Sequence, residues 1–363
     1  MKKNACPPFL FIGLTLFSMF FGAGNLIFAP FLGYQAAGQT LPAILGFCIS
    51  AVVFPIASVI IISRYKNASQ MISTIHPVLA NAFMTIVYLL IGPCIAIPRT
   101  ASTSFAMFGW LLPSAFPFQL LYSCLFFGAC FAAALHPNKL KDILGKVMGP
   151  ILVAMVLILC ISALLSPSDP IGTCAYTSPL IHGLKDGYQT MDILAAFCFT
   201  IVISLNIQSL EIPSKKKQRQ ILLKAAFVAG FLLTCLYGLL AACGMKFSGQ
   251  IPDASNGAQV LSWLASLTFG KFGAVFISMI FLAACFNVCS GLLSCCSEYF
   301  HTLAPKISYR NWLILFTASG ILVSVQGLDW ILAISAPVLS FICPAAIVLL
   351  IWGLVYSIRH KTL

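Results

Sequence analysis

The stretch Phe21-Gly22-Ala23-Gly24-Asn25 combines residue types that suit the binding of small charged groups inside a membrane. Glycine and asparagine are poor helix formers, and no charged residue lies between Lys3 and Arg64. Freed backbone groups at that depth are tolerated mainly where they line a cavity, and discontinuous helices form the sites of secondary transporters. We predict that residues 22–25 are non-helical and form a binding site. A close helix–helix contact through small residues is the alternative.

The composition indicates a protein that crosses the lipid bilayer many times. Hydrophobic residues make up 60% of the 363 residues and charged residues only 8%, which is far from the composition of a soluble domain. A formal net charge of +12 could suggest nucleic acid as a partner. The basic residues, however, fall in short clusters between apolar runs, as in membrane proteins that follow the positive-inside rule. We therefore expect no nucleic-acid partner.

The apolar runs between these clusters predict an all-α polytopic membrane protein with about ten transmembrane helices, since about 20 apolar residues span the hydrocarbon. We number the predicted spans one to ten. They cover residues 9–33, 40–63, 78–98, 116–135, 146–165, 188–210, 222–243, 272–297, 311–328 and 331–356.

The distribution of Lys and Arg predicts the orientation. With the N-terminus in the cytoplasm, sixteen of the 20 Lys and Arg residues fall on the cytoplasmic side, and only Arg99, Lys185, Lys246 and Lys271 lie outside. Cytoplasmic loops carry the excess of positive charge. We therefore predict a multi-pass protein of the cell (inner) membrane with both termini in the cytoplasm.

Few residues inside the spans could do chemistry. The 15 cysteines lie mostly within spans, where Cys acts as a small apolar residue, and no nucleotide motif is present. Asp192 is essentially the only acidic residue within a span, so an enzyme, which would need a convergent set of His, Asp or Glu, is disfavoured. We expect no cofactor and no metal site beyond a coupling ion.

Arg99 and Asp192 are the two opposite charges at the outer ends of spans three and six. A charge at the edge of the hydrocarbon is costly unless it is paired or hydrated. Asp192 is either a functional group or a helix N-terminal acid, and Arg99 is either an interfacial residue or part of an external gate. We predict that the two form a gate pair, directly or through water, when the outer side closes.

Five segments resemble, in order, the signatures of the branched-chain amino acid:cation symporters, the BrnQ-type family of the amino acid-polyamine-organocation superfamily. They are residues 14–33, 91–105, 187–192 with 194–196, 297–300 and 335–339, including Gly-Tyr-Gln-Thr-Met-Asp at 187–192. The resemblance extends over nearly the whole chain. It implies import of leucine, isoleucine and valine with a sodium ion or a proton. An exchanger or uniporter for another small neutral solute is the alternative.

The resemblance also implies a single transporter domain with leucine-transporter-like architecture. Two inverted repeats of five spans each, at about residues 9–165 and 188–356, would then form the domain, and spans one and six would be broken. Substrate would bind at the breaks, through the backbone and amide groups of Gly22, Ala23, Gly24 and Asn25. An apolar substrate side chain also needs an aromatic wall, and the predicted wall residues are Tyr88, Phe197, Phe199 and Thr200.

Of three departures from the family pattern, the first two touch this site and the third lies towards the end of span one. Phe199-Thr200 stands where a Phe-Gly pair is usual, and no Gly or Pro lies between Tyr188 and Glu211. A break in span six would then have to use Thr200, Ser204 or Asn206. Asn287-Val288 stands where two threonines are usual, and Ala29-Pro30 replaces Pro-Pro.

The coupling cation would use oxygen ligands from spans one and eight. The predicted ligands are backbone carbonyl groups near Phe21 together with Asn287 and Ser290. Val288 offers no oxygen. Sodium is favoured over a proton, because the spans contain no His and no second carboxylate that could form a proton relay.

Overall fold

The computed structural model describes residues 7–65, 67–113, 115–136, 143–168, 170–208, 214–251 and 253–360. The α-helices in these ranges are α1 (Pro8–Phe20), α2 (Ala23–Ala36), α3 (Thr40–Cys48), α4 (Phe54–Ile62), α5 (Ala68–Ser73), α6 (Pro77–Leu89), α7 (Ala96–Ala106), α8 (Phe116–Ala134), α9 (Gly149–Leu165), α10 (Pro179–Gln189), α11 (Asp192–Gln208), α12 (Lys215–Lys246), α13 (Gly257–Phe269), α14 (Gly273–Leu303), α15 (Tyr309–Ser324) and α16 (Leu328–Arg359).

Seven helical stretches in the described part of the chain are long and apolar enough to cross a membrane. They are Gly24–Ile62, Pro77–Ala106, Phe116–Ala134, Ile143–Leu165, Lys215–Lys246, Gly257–Leu303 and Leu328–Arg359. The remaining predicted spans are shorter or divided helices. Span one begins with the separate α1, span six is divided between α10 and α11, and span nine is the 16-residue α15. Helix α13 was not predicted.

Spans one and six pack in corresponding ways. Both halves of span one, α1 and α2, pack on α12, which is span seven. The two halves of span six, α10 and α11, pack on α3 and α4, the two parts of span two. Each broken span therefore lies along one span of the other half of the chain, as expected for inverted repeats.

Glycines bring these helix pairs close together. A Cβ atom added to Gly33 of α2 would lie 1.9 Å from the carbonyl oxygen of Ala241 on α12. One added to Gly183 of α10 would lie 1.9 Å from the carbonyl oxygen of Ala43 on α3. Small residues at membrane helix interfaces allow such close approach. The second half of span one is thus held on span seven, and the first half of span six on span two.

Span three is bent where Gly92 precedes Pro93. Gly92 has non-helical torsion angles (φ −77°, ψ −115°), and the segment Leu90–Cys94 forms a π-helical turn. Proline lacks the backbone N–H that a regular helix needs, so a bend at this place has a local cause. Helix α7, which carries Arg99, begins directly after the bend.

Candidate functional site

The break in span one is short. Helix α1 ends at Phe20, Phe21 and Gly22 are extended (φ −75°, ψ 91° and φ −125°, ψ −166°), and α2 begins at Ala23. The prediction of a non-helical segment over residues 22–25 was therefore wrong for Ala23, Gly24 and Asn25, which form the first turn of α2. The break itself is confirmed. It exposes the C-terminal end of α1 and the N-terminal end of α2, the negative and positive ends of the two helix dipoles.

The break in span six lies at Thr190 and Met191, between α10 and α11. Met191 has a left-handed backbone with φ 66°, which is uncommon for a residue other than glycine. The prediction of a break at Thr200, Ser204 or Asn206 was wrong, since α11 runs without interruption from Asp192 to Gln208.

Side-chain hydrogen bonds stabilise the break in span six, which contains neither glycine nor proline. Arg99 donates hydrogen bonds from Nη1 to the carbonyl oxygen of Gln189 (2.8 Å) and from Nη2 to that of Thr190 (3.3 Å). The hydroxyl of Thr190 donates to the carbonyl oxygen of Gly187 at 2.7 Å. These bonds satisfy carbonyl groups that the end of α10 leaves without helical partners.

The two breaks meet at a small cavity of about 30 Å³. Its lining comprises Met19, Phe20, Gly22, Gly24, Asn25, Ile91, Ala96, Arg99, Thr100, Thr190, Met191, Asp192, Ala195, Val288 and Leu292. One water molecule needs roughly 10–15 Å³ on this scale, so an amino acid does not fit without a movement of the surrounding helices. Spans one, three, six and eight all contribute to the lining.

A buried polar cluster connects the two breaks to span seven. Asn25 donates from Nδ2 to the carbonyl oxygen of Phe20 (3.2 Å) and to Oδ2 of Asp192 (2.9 Å), and Nδ2 also contacts the hydroxyl of Tyr237. Asn25 is 1% exposed and Asp192 is 4% exposed. The sequence analysis missed Tyr237, because a tyrosine within an apolar helix has no local mark that separates it from a packing residue.

Arg99 and Asp192 both line the cavity but do not bond directly to each other. No nitrogen of Arg99 lies within 4 Å of a carboxylate oxygen of Asp192, and each makes its hydrogen bonds with other groups. The Arg99 guanidinium lies above Gly24, where an added Cβ would be 2.9 Å from Nη2. The two predicted gate residues thus stand on the same cavity, with the first turn of α2 beside Arg99.

Five predicted residues line the cavity, namely Gly22, Gly24, Asn25, Arg99 and Asp192. The side chain of Ala23 lies outside the described part of the molecule. A Cβ atom at Gly22 would lie 2.6 Å from Cγ2 of Val288, so this glycine is needed for the close approach of spans one and eight.

The predicted wall residues lie elsewhere. Tyr88 is fully buried and stacks on Tyr299 with ring centroids 3.9 Å apart. Phe197 packs on Phe83 with ring centroids 5.7 Å apart, outside the lining of the cavity. The prediction placed these two rings in the wall because an apolar ligand needs apolar contacts, but neither ring belongs to the lining of the cavity.

Span six contributes its first turn to the cavity instead of its middle. Phe199 packs behind Phe20, with ring centroids 5.5 Å apart, and Thr200 donates its hydroxyl proton only to the carbonyl oxygen of Ala196 (2.6 Å). The span-six part of the lining consists of Thr190, Met191, Asp192 and Ala195. The break lies ten residues before Thr200. The cavity is therefore lined by residues at the beginning of α11 and not by residues from its middle.

Two of the predicted cation ligands hold buried oxygen atoms without partners. Asn287 donates from Nδ2 to the Ser18 hydroxyl of α1 at 2.9 Å, but its Oδ1 has no hydrogen-bond partner among the described residues, and neither has Oγ of Ser290. Buried polar atoms are usually satisfied. Phe21 stacks on Phe17 and Tyr237, and its extended backbone ends α1 beside this region.

Comparison with known proteins gives the family. The family model described as "Branched-chain amino acid transport protein" matches residues 7–362. The branched-chain amino acid permease BrnQ of Bacillus subtilis is 35% identical, with 99% of this chain and 84% of the relative covered. BrnQ of Corynebacterium glutamicum is 35% identical (97% and 82% covered), and the branched-chain amino acid transport system 2 carrier protein of Pseudomonas aeruginosa is 33% identical (94% and 79% covered).

Two solved transporter structures share the fold. Mhp1, a nucleobase-cation-symport-1 family transporter in a closed conformation with bromovinylhydantoin bound, gives a TM-score of 0.62 at 14% identity, covering 96% of this chain and 78% of that one. MhsT in complex with L-phenylalanine gives 0.56 at 15% identity, covering 94% and 87%. These matches confirm the predicted leucine-transporter-like architecture. With the family model matched from residue 7 to residue 362, the chain belongs to the family of branched-chain amino acid transport proteins.

Proposed function

We propose that the protein imports leucine, isoleucine and valine together with a cation by alternating access. One observation carries the proposal, namely that both helix breaks line the same small cavity. A cavity of about 30 Å³ is far smaller than the sites of a few hundred Å³ that hold small molecules. The helices around the breaks must therefore move to admit substrate, and alternating access consists of such movements.

The chemistry of the cavity suits an aliphatic amino acid. Met19, Ile91, Val288 and Leu292 supply an apolar surface for a branched side chain. The backbone at Gly22, Ala23 and Gly24, with the Asn25 amide, supplies polar groups for the amino and carboxylate groups. The apolar surface takes over the role that the sequence analysis gave to Tyr88, Phe197, Phe199 and Thr200.

Sodium is the proposed coupling ion, and it moves as a second substrate. Its site is proposed at Asn287, Ser290 and the backbone near Phe21. The support is the oxygen atoms without partners, Oδ1 of Asn287 and Oγ of Ser290, since hard cations prefer oxygen ligands. Val288, directly after Asn287, offers none and instead faces the substrate cavity.

The movement is proposed to follow the two repeats, about residues 9–165 and 188–356, with both termini in the cytoplasm. The corresponding packing of span one on span seven and of span six on span two supports this division. Because α10 is the first half of span six, the second repeat would begin near Pro179. Arg99 and Asp192 are proposed to close the outer side of the site.

Uptake into proteoliposomes tests the function. With the purified protein, an imposed inward sodium gradient should drive accumulation of radiolabelled leucine, whereas a proton gradient alone should not. Asn287→Ala should remove the sodium dependence, and Asn311→Ala, at an exposed position, should leave it intact. Exchange of internal for external leucine without net accumulation would favour the exchanger, and the absence of any leucine flux would reject the proposal.

A further inference from the structure

We propose that Arg99 and Asp192 bind the two charged ends of a zwitterionic amino acid, Arg99 its α-carboxylate and Asp192 its α-ammonium group. The inference rests on the proposed function and assigns the residues that recognise the amino acid backbone. It places the substrate as a bridge between two side chains that do not bond to each other.

The charges of the cavity match those of the ligand. Among the lining residues, Arg99 and Asp192 are the only charged side chains, and they are 5% and 4% exposed. Buried charges in a membrane protein are costly and mark functional sites. The charges of Arg99 and Asp192 sum to zero, as do the two charges of a zwitterionic amino acid. Binding with opposite charges facing each other therefore adds no net charge to a low-dielectric region.

Arg99 forms the positive end of the cavity together with α2. A guanidinium has five N–H donors, and two hydrogen bonds, to the carbonyl oxygens of Gln189 and Thr190, engage Nη1 and Nη2. Nη2 lies beside Gly24 in the first turn of α2. The cap residue Gly22 provides no side-chain acceptor for that helix end, and an uncapped helix N-terminus attracts anions.

Asp192 forms the negative end together with α1. Its Oδ2 accepts one hydrogen bond from Asn25, while an ionised carboxylate offers about four acceptor sites. Asn25 also bonds to the carbonyl oxygen of Phe20 at the C-terminal end of α1, the negative end of that helix dipole. An ammonium group with three donors suits the remaining acceptors.

The competing explanation is purely structural. Arg99 caps the C-terminal carbonyl groups of α10, and Asp192 stands at the N-terminus of α11, where an acid is stabilised by the dipole. Loss of binding in a variant cannot separate the two explanations. A comparison of ligands that lack one charged group can, because a structural cap does not distinguish the ends of the ligand.

The experiment measures binding of three ligands to purified protein. Competition against radiolabelled leucine gives dissociation constants for leucine, for 3-methylbutylamine, which lacks the carboxylate, and for 4-methylpentanoate, which lacks the ammonium group. Hydrogen bonds to charged groups are stronger than those between neutral groups. In the wild type, each analogue should therefore bind about 10- to 100-fold more weakly than leucine.

Each substitution should remove the discrimination against one analogue only. In Arg99→Gln, leucine should bind about as weakly as 3-methylbutylamine, while the preference for leucine over 4-methylpentanoate persists. Asp192→Asn should show the reverse. Ser102→Ala, on the same helix as Arg99 but outside the cavity lining, should keep both preferences. Wild-type ratios in the two charge variants would overturn the inference.

The outcomes separate this inference from the proposed function. If the wild type shows no saturable leucine binding, the proposed function fails. If leucine binds but the ratios do not respond to the substitutions, only the inference fails. Should Arg99→Gln not yield folded protein, Arg99→Lys, which keeps the positive charge, should retain most of the preference for leucine over 3-methylbutylamine. Asp192→Asn, which hardly changes the shape of the side chain, independently tests the recognition of the ammonium group.

Discussion

Spans one and six are both interrupted beside the cavity, but the two interruptions have different causes. Span one breaks at Phe21 and Gly22, and the sequence there is rich in glycine. Span six breaks at Thr190 and Met191, where neither residue is a helix breaker by type, and Met191 adopts a left-handed backbone. The first break is encoded locally. The second is held by Arg99, 90 residues away in the chain, through two carbonyl groups.

This difference separates two sources of a functional conformation. The backbone at Phe21 and Gly22 is extended, a conformation that any residue adopts, so the first break needs space more than it needs support. A left-handed Met costs about 1–2 kcal/mol and persists only where the surroundings determine it. The first break should therefore be sensitive to added volume, and the second to the shape of its own side chain.

The largest effect is expected from added volume at Gly24. A Cβ there would lie 2.9 Å from Nη2 of Arg99 and 3.3 Å from Cα of Thr190, so an added side chain displaces the Arg99 guanidinium and presses on the second break. Gly24→Ala should weaken leucine binding by an amount equivalent to about 1–3 kcal/mol of overpacking, and Gly24→Leu should abolish uptake at normal expression. Uptake of radiolabelled leucine in cells, with immunoblotting of membranes, measures this.

Gly238→Ala is the matched control for Gly24. It is a helical glycine in α12, and nothing lies within 4 Å of an added Cβ, so uptake should be preserved. Near-normal uptake by Gly24→Leu would show that the cavity at the breaks is not the substrate site.

A smaller effect is expected from a change of side-chain shape at Met191. A β-branched residue is a genuine outlier at positive φ. Met191→Val should therefore lower the stability by about 1 kcal/mol or more relative to Met191→Leu, which conserves volume and should be tolerated. Thermal unfolding of the purified variants in the same detergent gives the comparison. Equal stability of the two variants would mean that the second break is not strained.

The sequence revealed the general architecture and the first break, because both follow from local patterns. Charge gaps mark the spans, and Gly22 and Gly24 mark a weakened helix. It could not locate the second break, since Thr190 and Met191 acquire their conformation from Arg99. Tyr237 was missed for the same reason. What distinguishes its hydroxyl from that of a packing tyrosine is the contact with Asn25, 212 residues away in the chain.

The residues of the predicted aromatic wall lie outside the cavity lining because of the position of the second break. The face that a helical residue presents depends on where its helix begins, and α11 begins at Asp192. Phe199 therefore packs behind Phe20 instead of facing the cavity. Arg99, Asp192 and Asn25, predicted as gate and substrate-binding residues, all line the cavity; the sequence singled them out because polar groups are rare in these spans and each one needs a partner.

The smallest effect is expected at Thr200, which is, with Ser204 and Asn206, one of the three positions where the sequence alone puts the break in span six. Its hydroxyl donates only to the Ala196 carbonyl one turn earlier, a bond that slightly destabilises or bends helices when present. Thr200→Val keeps the shape and removes only this bond, so the KM for leucine uptake should stay within about twofold, or about 0.4 kcal/mol. If span six instead unwound at Thr200 during transport, the hydroxyl would gain a substrate or backbone partner and the substitution would raise KM by tenfold or more. Initial-rate uptake over a range of leucine concentrations separates the two outcomes, and a large rise would place a second break in α11.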